Sequence, residues 1–581
     1  MEANTKADTI QVTATPSTTT TTTTSPQPPE YGIIAPAEEE VQYPRTRNVI
    51  FIMLGLHLAT FLVALDRTII ATAIPAITND FDSLGDVGWY SSAYLLTNCS
   101  LVVVYGRIYS FSSPKLVYMA CILLFEAGSA VCGAAPRSAV LIAGRAVAGT
   151  GSAGIFSGSI IIMVHTVPLH KRPMYMAMLG SMWGLASSVG PIMGGALTSR
   201  FSWRWCFYIN LPIGAIAFLV VGFLVTVPVP NRDGPALSIY QKFARLDPLG
   251  IICFLPGIVC LLLALQLGGS TYAWSDARII AALVVFAVLI LCFVAVQIVK
   301  KDTALIPPRI ITHRTIAAGA WFAFWLGASM LMLTFYLPIW FQAIQGVDAL
   351  GSGIRMIPLV LTLNLSSITT GILMRFTGYS APFMLLSSVL MALGTGLIST
   401  WTVHTPPAAW IGYQVLYGAG IGFGLEQPPL LAQTVLSKAD IPVGASCIVF
   451  FQSLGGAIFT SVGQNVLSSH LAASLREMPE LGLSPSDVSG VGATELRGLV
   501  EPRYLGALLR VYNGALVGVF RVAVGVACAT FVGAAGVRWV STKKGKRLSR
   551  QILVIEAPHT SQREKSEPEQ NVNARRGTET V

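Results

Sequence analysis

The sequence predicts an all-α polytopic membrane protein with fourteen membrane-spanning helices. The first observation is composition: 53% of the 581 residues are hydrophobic and only 11% are charged, with a mean hydropathy of +0.64. Soluble domains carry about 25% charged residues. The second is that the apolar residues occur in blocks of about 20 or more, the length that crosses a hydrocarbon core about 30 Å thick. Together these observations exclude a soluble protein.

The apolar blocks follow each other in the order six, two, six. Spans 1 to 6 cover residues 48–76, 88–107, 115–135, 138–165, 174–199 and 205–228. Spans 7 and 8 cover 248–268 and 278–299. Spans 9 to 14 cover 315–344, 353–374, 381–401, 408–433, 442–467 and 513–540. This layout predicts three membrane domains. They are an N-terminal six-helix bundle over 48–228, a linker with two extra helices over 229–300, and a C-terminal six-helix bundle over 301–540 with a long outer loop at 468–512.

Polar segments flank the spans at both ends. Residues 1–47 include a threonine run and lack the apolar surface needed to offset ordering entropy, so we expect a disordered tail. Residues 541–581 begin with a basic cluster and form a second tail. Fourteen spans place both tails on one side, and lysine and arginine are more frequent in the connections of that side. We therefore expect both termini in the cytoplasm, with the plasma membrane as the location and a vesicle or vacuole membrane as the alternative.

The absence of ATP-binding and hydrolase motifs from the sequence limits the classes of function that the protein can have. There is no GxxxxGK[ST] loop, HExxH or GxSxG, so we expect neither direct use of ATP nor an enzyme. The nine cysteines form no CxxC or Cys/His pair, so we predict no metal site. The net charge of +10 comes from scattered basic residues, which argues against a nucleic-acid partner. The expected partners are a small substrate, protons and the lipid bilayer, and we expect a monomer.

Four ionisable residues inside spans are candidates for proton coupling: Asp66, Glu126, Arg145 and Glu426. A charge at the bilayer centre costs about 2.5–3.5 kcal/mol on insertion scales, so each needs a partner or a function. Spans 1 and 4 run in opposite directions, which puts Asp66 and Arg145 at a similar depth. A pair that can separate would let Asp66 bind a proton. The alternatives are a permanent salt bridge for this pair and a structural hydrogen-bonded role for the two glutamates.

A glycine-rich element follows in span 5. Its small residues and its proline recur at helical spacings: Gly184, Ser188, Gly190, Pro191, Gly194 and Gly195. Small residues allow close approach between membrane helices, and the proline removes one backbone hydrogen bond. The element therefore indicates either a pliable contact between moving helices or a static glycine-packed crossing.

Aromatic residues crowd span 9 and could form a wall for hydrophobic, planar or cationic ligands. Others in the same span must face lipid. We choose Phe324, Tyr336 and Gln342 as candidates for the substrate cavity.

Four stretches in order resemble the major facilitator superfamily. They are LDRTIIATAIP (65–75), LIAGRAVAGTGSAGIFSG (141–158), the glycine-proline element with WRWCFYINLPIG (203–214), and FYLPIWFQAIQG (335–346) followed by SGIRMIP (352–358). More narrowly, they look like the fourteen-spanner drug:proton antiporter branch, and especially fungal toxin and multidrug efflux pumps. The resemblance covers roughly residues 48–540.

The resemblance implies a major facilitator fold, with two six-helix bundles that work by alternating access and spans 7 and 8 as extra central helices. It implies that spans 1, 4, 9 and 12 line the central cavity. It gives Asp66 the acidic position of the first-helix motif and Arg145 the basic position of the fourth-helix motif, and it makes the glycine element the antiporter motif. One stretch departs from the family: the loop that usually reads like GxLaDRxGRK is YGRIYSFSSPK (105–115), without the aspartate.

The expected function is proton-coupled efflux of amphipathic small molecules such as drugs, mycotoxins or other secondary metabolites. The proton gradient would be the energy source, with no cofactor. The alternatives are an iron-chelate exporter, a nutrient importer on the same scaffold, and a non-transporting membrane sensor.

Overall fold

The computed structural model describes residues 44–83, 86–225, 241, 245–269, 272–478 and 500–541. Within these ranges the regular structure is helical, apart from two isolated β-bridges. Most of each predicted tail and much of the predicted loop at 468–512 lie outside the described residues.

Fourteen long helices account for most of the described chain. The first six are α1 (Thr46–Phe81), α2 (Val87–Phe111), α3 (Pro114–Gly133), α4 (Ser138–Thr166), α5 (Arg172–Arg200) and α6 (Asn210–Leu224). The central pair is α7 (Pro248–Leu267) and α8 (Ala277–Lys300). The last six are α9 (Arg314–Gln345), α10 (Ile357–Thr377), α11 (Ala381–Ile398), α12 (Pro407–Gly424), α13 (Ile441–Arg476) and α14 (Pro502–Gly536). Short helices precede α6 (Trp205–Tyr208) and α10 (Ala349–Arg355), and another follows α12 (Gln427–Val435).

The predicted all-helical membrane class is confirmed. In the described part, eleven helices are long and apolar enough to cross a membrane. The other three long helices, α2, α5 and α12, are richer in glycine, serine and tyrosine and fall short of that hydropathy. Fourteen crossings are consistent with this result and stay a prediction.

The helix pairing of the first half recurs in the second half. Helix α3 packs on α4, α1 on α5, and α2 on α4; eight helices later, α11 packs on α12, α9 on α13, and α10 on α12. Helices α7 and α8 pack on each other. Parallel repeats of this kind occur in many transporter folds. The repeat agrees with a two-bundle layout, whose residue boundaries stay a prediction.

Among the described residues, the two halves share a buried apolar core near one end of the molecule. We call the end at which α1 begins and α14 ends the terminal end. One buried cluster joins first-half residues such as Met53 and Met163 to second-half residues such as Val443 and Ile448, near that end. Towards the opposite end, the large clusters are separate: one belongs to the first half and one to the second. Among the described residues, the two halves therefore share a buried apolar core at the terminal end and have separate cores towards the opposite end, where α5 still contacts the short helix Ala349–Arg355.

Candidate functional site

Asp66 of α1 and Arg145 of α4 form a fully buried ion pair. The Nη1 atom of Arg145 lies 2.5 Å from Oδ2 of Asp66, and the side chains are 1% and 0% exposed. The Nε atom of Arg145 donates to the carbonyl oxygen of Tyr90 at 2.8 Å. The structure thus brings together the two residues that helix direction and depth had paired. Removing one partner of a buried pair typically costs about 3–5 kcal/mol, because the other charge is left uncompensated.

A third side chain, Asn210 at the start of α6, completes this site. Its amide nitrogen donates to Oδ1 of Asp66 at 3.2 Å and to Oγ of Ser129 at 3.1 Å. Both carboxylate oxygens of Asp66 therefore accept a hydrogen bond, one from a cation and one from a neutral amide. Asn210 lies within the stretch WRWCFYINLPIG (203–214) and was not predicted as a site residue. Its signal in the sequence is a lone amide side chain near the start of an apolar span.

The two glutamate candidates lie at separate positions. Both carboxylate oxygens of Glu126 on α3 are buried, without a hydrogen-bond partner among the described residues, and the group lies against Gly214 of α6. Glu426 follows α12 and lies against Gly180 of α5, where an added Cβ would come within 2.4 Å of Oε1. Neither glutamate forms an ion pair within the described part of the chain. Of the four candidates, the structure therefore brings only Asp66 and Arg145 into direct contact.

Arg67 is a membrane-embedded charge that sequence analysis did not single out. Its side chain is half-buried, and its guanidinium carbon lies 5.0 Å from the centre of the Trp183 ring on α5. A cation–π contact is worth about 0.5–2 kcal/mol, which is less than the roughly 2.5–3.5 kcal/mol that an arginine costs at the bilayer centre. The stacking contact alone therefore does not offset the burial of this charge.

The glycine element of α5 packs closely against two neighbouring helices, α1 and α10. A Cβ at Gly190 would come within 2.2 Å of the Thr68 hydroxyl on α1, so this glycine allows close packing of α1 and α5. A Cβ at Gly184 would come within 1.9 Å of the amide of Asn364 on α10, across the two halves. Helix α5 remains α-helical through Pro191. The side chain of Ser188 lies outside the described set.

The three cavity candidates have different environments. Phe324 is half-buried, with its ring 5.2 Å from that of Trp325. The Tyr336 side chain is fully buried, and its hydroxyl donates to the carbonyl oxygen of Thr460. Gln342 donates to Ser352 at 3.1 Å. In this conformation Tyr336 is part of the packed contact between α9 and α13, and Phe324 is the more accessible aromatic candidate.

A cavity of about 320 Å³ lies between the two halves, where α5 faces α10. It is lined by Ser181, Met182, Gly184, Leu185, Ile357, Val360, Leu361 and Asn364. The first glycine of the antiporter element thus borders open space beside its contact with Asn364. None of the three chosen cavity candidates lines this cavity.

Charged groups connect the segments at the terminal end. Arg107, in the stretch that departs from the family pattern, donates to the backbone carbonyl oxygens of Arg245 and Asp302. Arg309 then pairs with Asp302 at 2.6 Å and with Asp440 at 2.7 Å. Hydrogen bonds from Arg309 lower the pKa of the Asp440 carboxyl group. The α2 end therefore reaches the segments that flank the central helix pair, without an aspartate in its own loop.

The repeated helix pairing and the ion pair buried between membrane helices are features of membrane transporters. The sequence pattern of the Major Facilitator Superfamily matches residues 56–460, and the chain belongs to this family. The prediction of a membrane-embedded transporter rather than an enzyme is confirmed by this membership.

Similar curated proteins come from fungi. The chain is 49% identical to the MFS-type transporter VdtG of Byssochlamys spectabilis, over 87% of this chain and 90% of that protein. It is 45% identical to the efflux pump aflT of Aspergillus parasiticus, over 88% of this chain and 100% of that protein. It is 48% identical to the MFS-type efflux pump MFS1 of Trichophyton rubrum, over 88% of this chain and 95% of that protein. The predicted resemblance to fungal pumps is confirmed.

Solved structures share the fold at low sequence identity. The human organic anion transporter MFSD10 (TETRAN) is 15% identical, with a TM-score of 0.53 over 84% of this chain and 100% of that one. The proton:xylose symporter XylE is 13% identical, with a TM-score of 0.51 over 83% of this chain and 95% of that one. These similarities support the major facilitator fold and carry no information on substrate.

Proposed function

We propose that this protein exports amphipathic small molecules, such as drugs, mycotoxins or other secondary metabolites, in exchange for protons. The observation that carries the proposal is the buried Asp66–Arg145 pair between α1 and α4. Two of the fungal relatives described above bear the name efflux pump, which favours export over import.

The proposed cycle uses the ion pair as a proton switch. In the described conformation Asp66 is held by Arg145 and Asn210, and the two halves have separate buried cores towards the end opposite the termini. A proton that enters from that side neutralises Asp66 and removes the Coulomb attraction to Arg145. Arg145 keeps its hydrogen bond to the carbonyl oxygen of Tyr90 while the pair loosens. The two bundles then rock, so that substrate binds from the side of the termini and Asp66 releases its proton there.

The proposal includes an orientation and a location. We propose that the terminal end faces the cytoplasm, because lysine and arginine are concentrated in the connections of that side. The plasma membrane is the proposed location, since export of a toxic molecule from the cell requires its crossing.

The test compares Asp66→Asn with Asp80→Asn. Both carboxylates lie on α1, but Asp80 forms an exposed pair with Arg204, with side chains 44% and 35% exposed. Accumulation of a panel of fluorescent amphipathic dyes and toxins is measured in pump-deficient cells at matched surface expression, with and without a protonophore. We expect the wild type and Asp80→Asn to lower accumulation, and Asp66→Asn or the protonophore to abolish this effect.

Other outcomes distinguish the alternatives. Protonophore-sensitive uptake instead of efflux would identify an importer. Export by Asp66→Asn at the wild-type rate would make the buried pair structural and move the search for coupling to Glu126 and Glu426. An absence of movement across the whole panel would favour a narrow-substrate carrier, such as an iron-chelate exporter, or a sensor.

A further inference from the structure

Arg67 is a cation next to Asp66, but the Asp66 carboxylate already binds other side chains. Asp66 precedes it in the sequence, but the Asp66 carboxylate is held by Arg145 and Asn210. Among the described residues, the Arg67 side chain forms no hydrogen bond and no ion pair. It makes a cation–π contact with the ring of Trp183. An arginine remains protonated in proteins, so a positive charge that has no ion-pair partner of its own among the described residues lies within the membrane region.

Another buried arginine of the same bundle shows the contrast. Arg172 donates from Nε to the carbonyl oxygen of Val167 at 2.9 Å and from Nη2 to that of Val164 at 2.7 Å. A guanidinium with a purely structural role is saturated by fixed acceptors in this way, because unpaired buried donors are costly. Arg67 instead leaves its donors available to a molecule that is not part of the chain.

The surroundings of Arg67 are aromatic and accessible. Trp183 packs edge-to-face against Phe156 of α4, with ring centroids 6.2 Å apart, and all three side chains are half-buried. Trp183 also contacts both the cluster shared between the two halves and the cluster that belongs to the first half alone. These three side chains therefore lie where the core shared by the two halves gives way to separate cores, which is the level at which alternating access would expose a substrate site.

We propose that Arg67, Trp183 and Phe156 form an anion subsite, and that planar aromatic carboxylates and phenolates are a substrate class of this transporter. The assignment rests on the proposed export function and names its substrate. The anionic oxygens accept hydrogen bonds from the guanidinium, whose planar fork suits a carboxylate. The aromatic part of the substrate packs against the two rings. A cationic substrate would be repelled here, because Arg67 already occupies the face of Trp183 that would attract it.

The test uses two dyes with the same xanthene ring system and opposite charge: fluorescein, which is anionic at neutral pH, and tetramethylrhodamine methyl ester, which is cationic. The full-length protein is reconstituted into vesicles with an acidic lumen and a clamped membrane potential, and dye entry above that of protein-free vesicles is measured. Binding of both dyes to the purified protein is followed separately by fluorescence anisotropy. The variants are Arg67→Gln and Arg67→Lys, and Arg137→Gln serves as the control because Arg137 is an exposed arginine at the start of α4.

We expect the wild type and Arg137→Gln to bind and transport fluorescein. Arg67→Gln should lose at least about tenfold in both readouts, the size of one charge-assisted hydrogen bond lost, while its transport of the cationic dye is retained or increased. Arg67→Lys should recover part of the loss, because it keeps the charge without the planar fork. Retained cationic transport also shows that Arg67→Gln is folded.

Failure of the anion subsite and failure of the export function give different results. Proton-driven transport of the cationic dye alone, or an equal loss of both dyes in Arg67→Gln, overturns the anion subsite and leaves proton-coupled export standing. Fluorescein binding that depends on Arg67, without proton-driven movement of either dye, supports the subsite and contradicts the export function. Absence of both Arg67-dependent binding and transport contradicts both.

Discussion

Asn210 donates a hydrogen bond to the oxygen of Asp66 that Arg145 leaves free, over 3.2 Å. The same amide nitrogen also bonds to Ser129, so the proposed proton switch is tied to α3 and α6 as well as to α4. The Asp66 carboxylate is thereby oriented by a neutral amide as well as by the Arg145 guanidinium.

Replacement of Asn210 by leucine should slow proton-coupled export by roughly tenfold, since about 1.5 kcal/mol is lost with one hydrogen bond to a charged group. The initial export rate and its pH profile are measured in vesicles at matched protein content. Asn98→Leu is the control, because Asn98 bonds to Ser152 and not to Asp66. Equal losses in the two variants, with unchanged pH profiles, would mean that Asn210 is a packing residue only.

The adjacent glycines Gly194 and Gly195 should respond differently to alanine. A Cβ at Gly194 would come within 2.3 Å of the Thr72 hydroxyl and 2.6 Å of the Ile69 carbonyl oxygen, whereas a Cβ at Gly195 would have no heavy atom within 4 Å. Overpacking costs about 1–3 kcal/mol, and alanine favours a helix over glycine by about 1 kcal/mol. We therefore expect Gly194→Ala to lower the melting temperature and Gly195→Ala to preserve or raise it. Thermal unfolding of the purified variants checks this, and equal behaviour of the two would contradict the packing.

Asp247, which precedes α7, should stabilise the protein in a pH-dependent way. It is fully buried and accepts hydrogen bonds from Lys300, Gln297 and the backbone amides of Gly250 and Leu305. Burial by itself would raise the pKa of Asp247, but these hydrogen bonds outweigh it and lower the pKa.

The lowered pKa fixes the sign of the effect. The stabilisation is complete above the unfolded-state value of about 3.9 and is lost as the pH falls through the lower folded-state value. Asp247→Asn keeps the left-handed backbone accessible and should cost about 1.5–3 kcal/mol at neutral pH. In thermal unfolding the wild type and Asp247→Asn should converge only below about pH 4. Asp302→Asn serves as the control, because Asp302 belongs to an exposed ion pair and its replacement should change stability little. If Asp247→Asn lowered stability at neutral pH no more than Asp302→Asn does, the stabilising role of the buried carboxylate would be contradicted.

A disulfide between positions 157 and 446 should stop transport. Ser157 of α4 and Ser446 of α13 meet across the closed terminal end, with their hydroxyl oxygens 3.3 Å apart. In the double variant Ser157→Cys with Ser446→Cys, oxidation should prevent the two halves from separating there, and reduction should restore transport. Mass spectrometry detects the bond, and the two single variants control for the native cysteines. Full transport by the cross-linked protein would show that this end does not open in the cycle.

Sequence reasoning reached the Asp66–Arg145 pair because depth in a membrane follows from counting. Each residue advances about 1.5 Å along its helix, so residues on antiparallel spans can be matched by their distance from the same surface. The same reasoning missed Asn210 and the half-buried charge of Arg67, which has no ion-pair partner among the described residues. Both depend on which side of a helix faces which neighbour, and apolar residues cover the lipid-facing and the protein-facing sides alike.

The glycine element shows the same limit. Its spacing predicted close helix contacts, but Gly190 contacts α1, Gly184 contacts α10, and a side chain at Gly195 would meet open space. Glycine removes a steric barrier without specifying the partner that approaches. The partner is selected by the shape of the neighbouring helix surface.

The sequence by itself determined the helical membrane class, the order of the helices and the depth of the buried charges. The bilayer imposes these properties on a chain, because every spanning segment must be apolar and must satisfy its backbone hydrogen bonds internally. Tertiary structure decided the lateral neighbours of each side chain, the pairing of the two halves and the end at which they close. These depend on van der Waals packing and a few polar contacts between helices, such as the bond from Asn210 to Asp66.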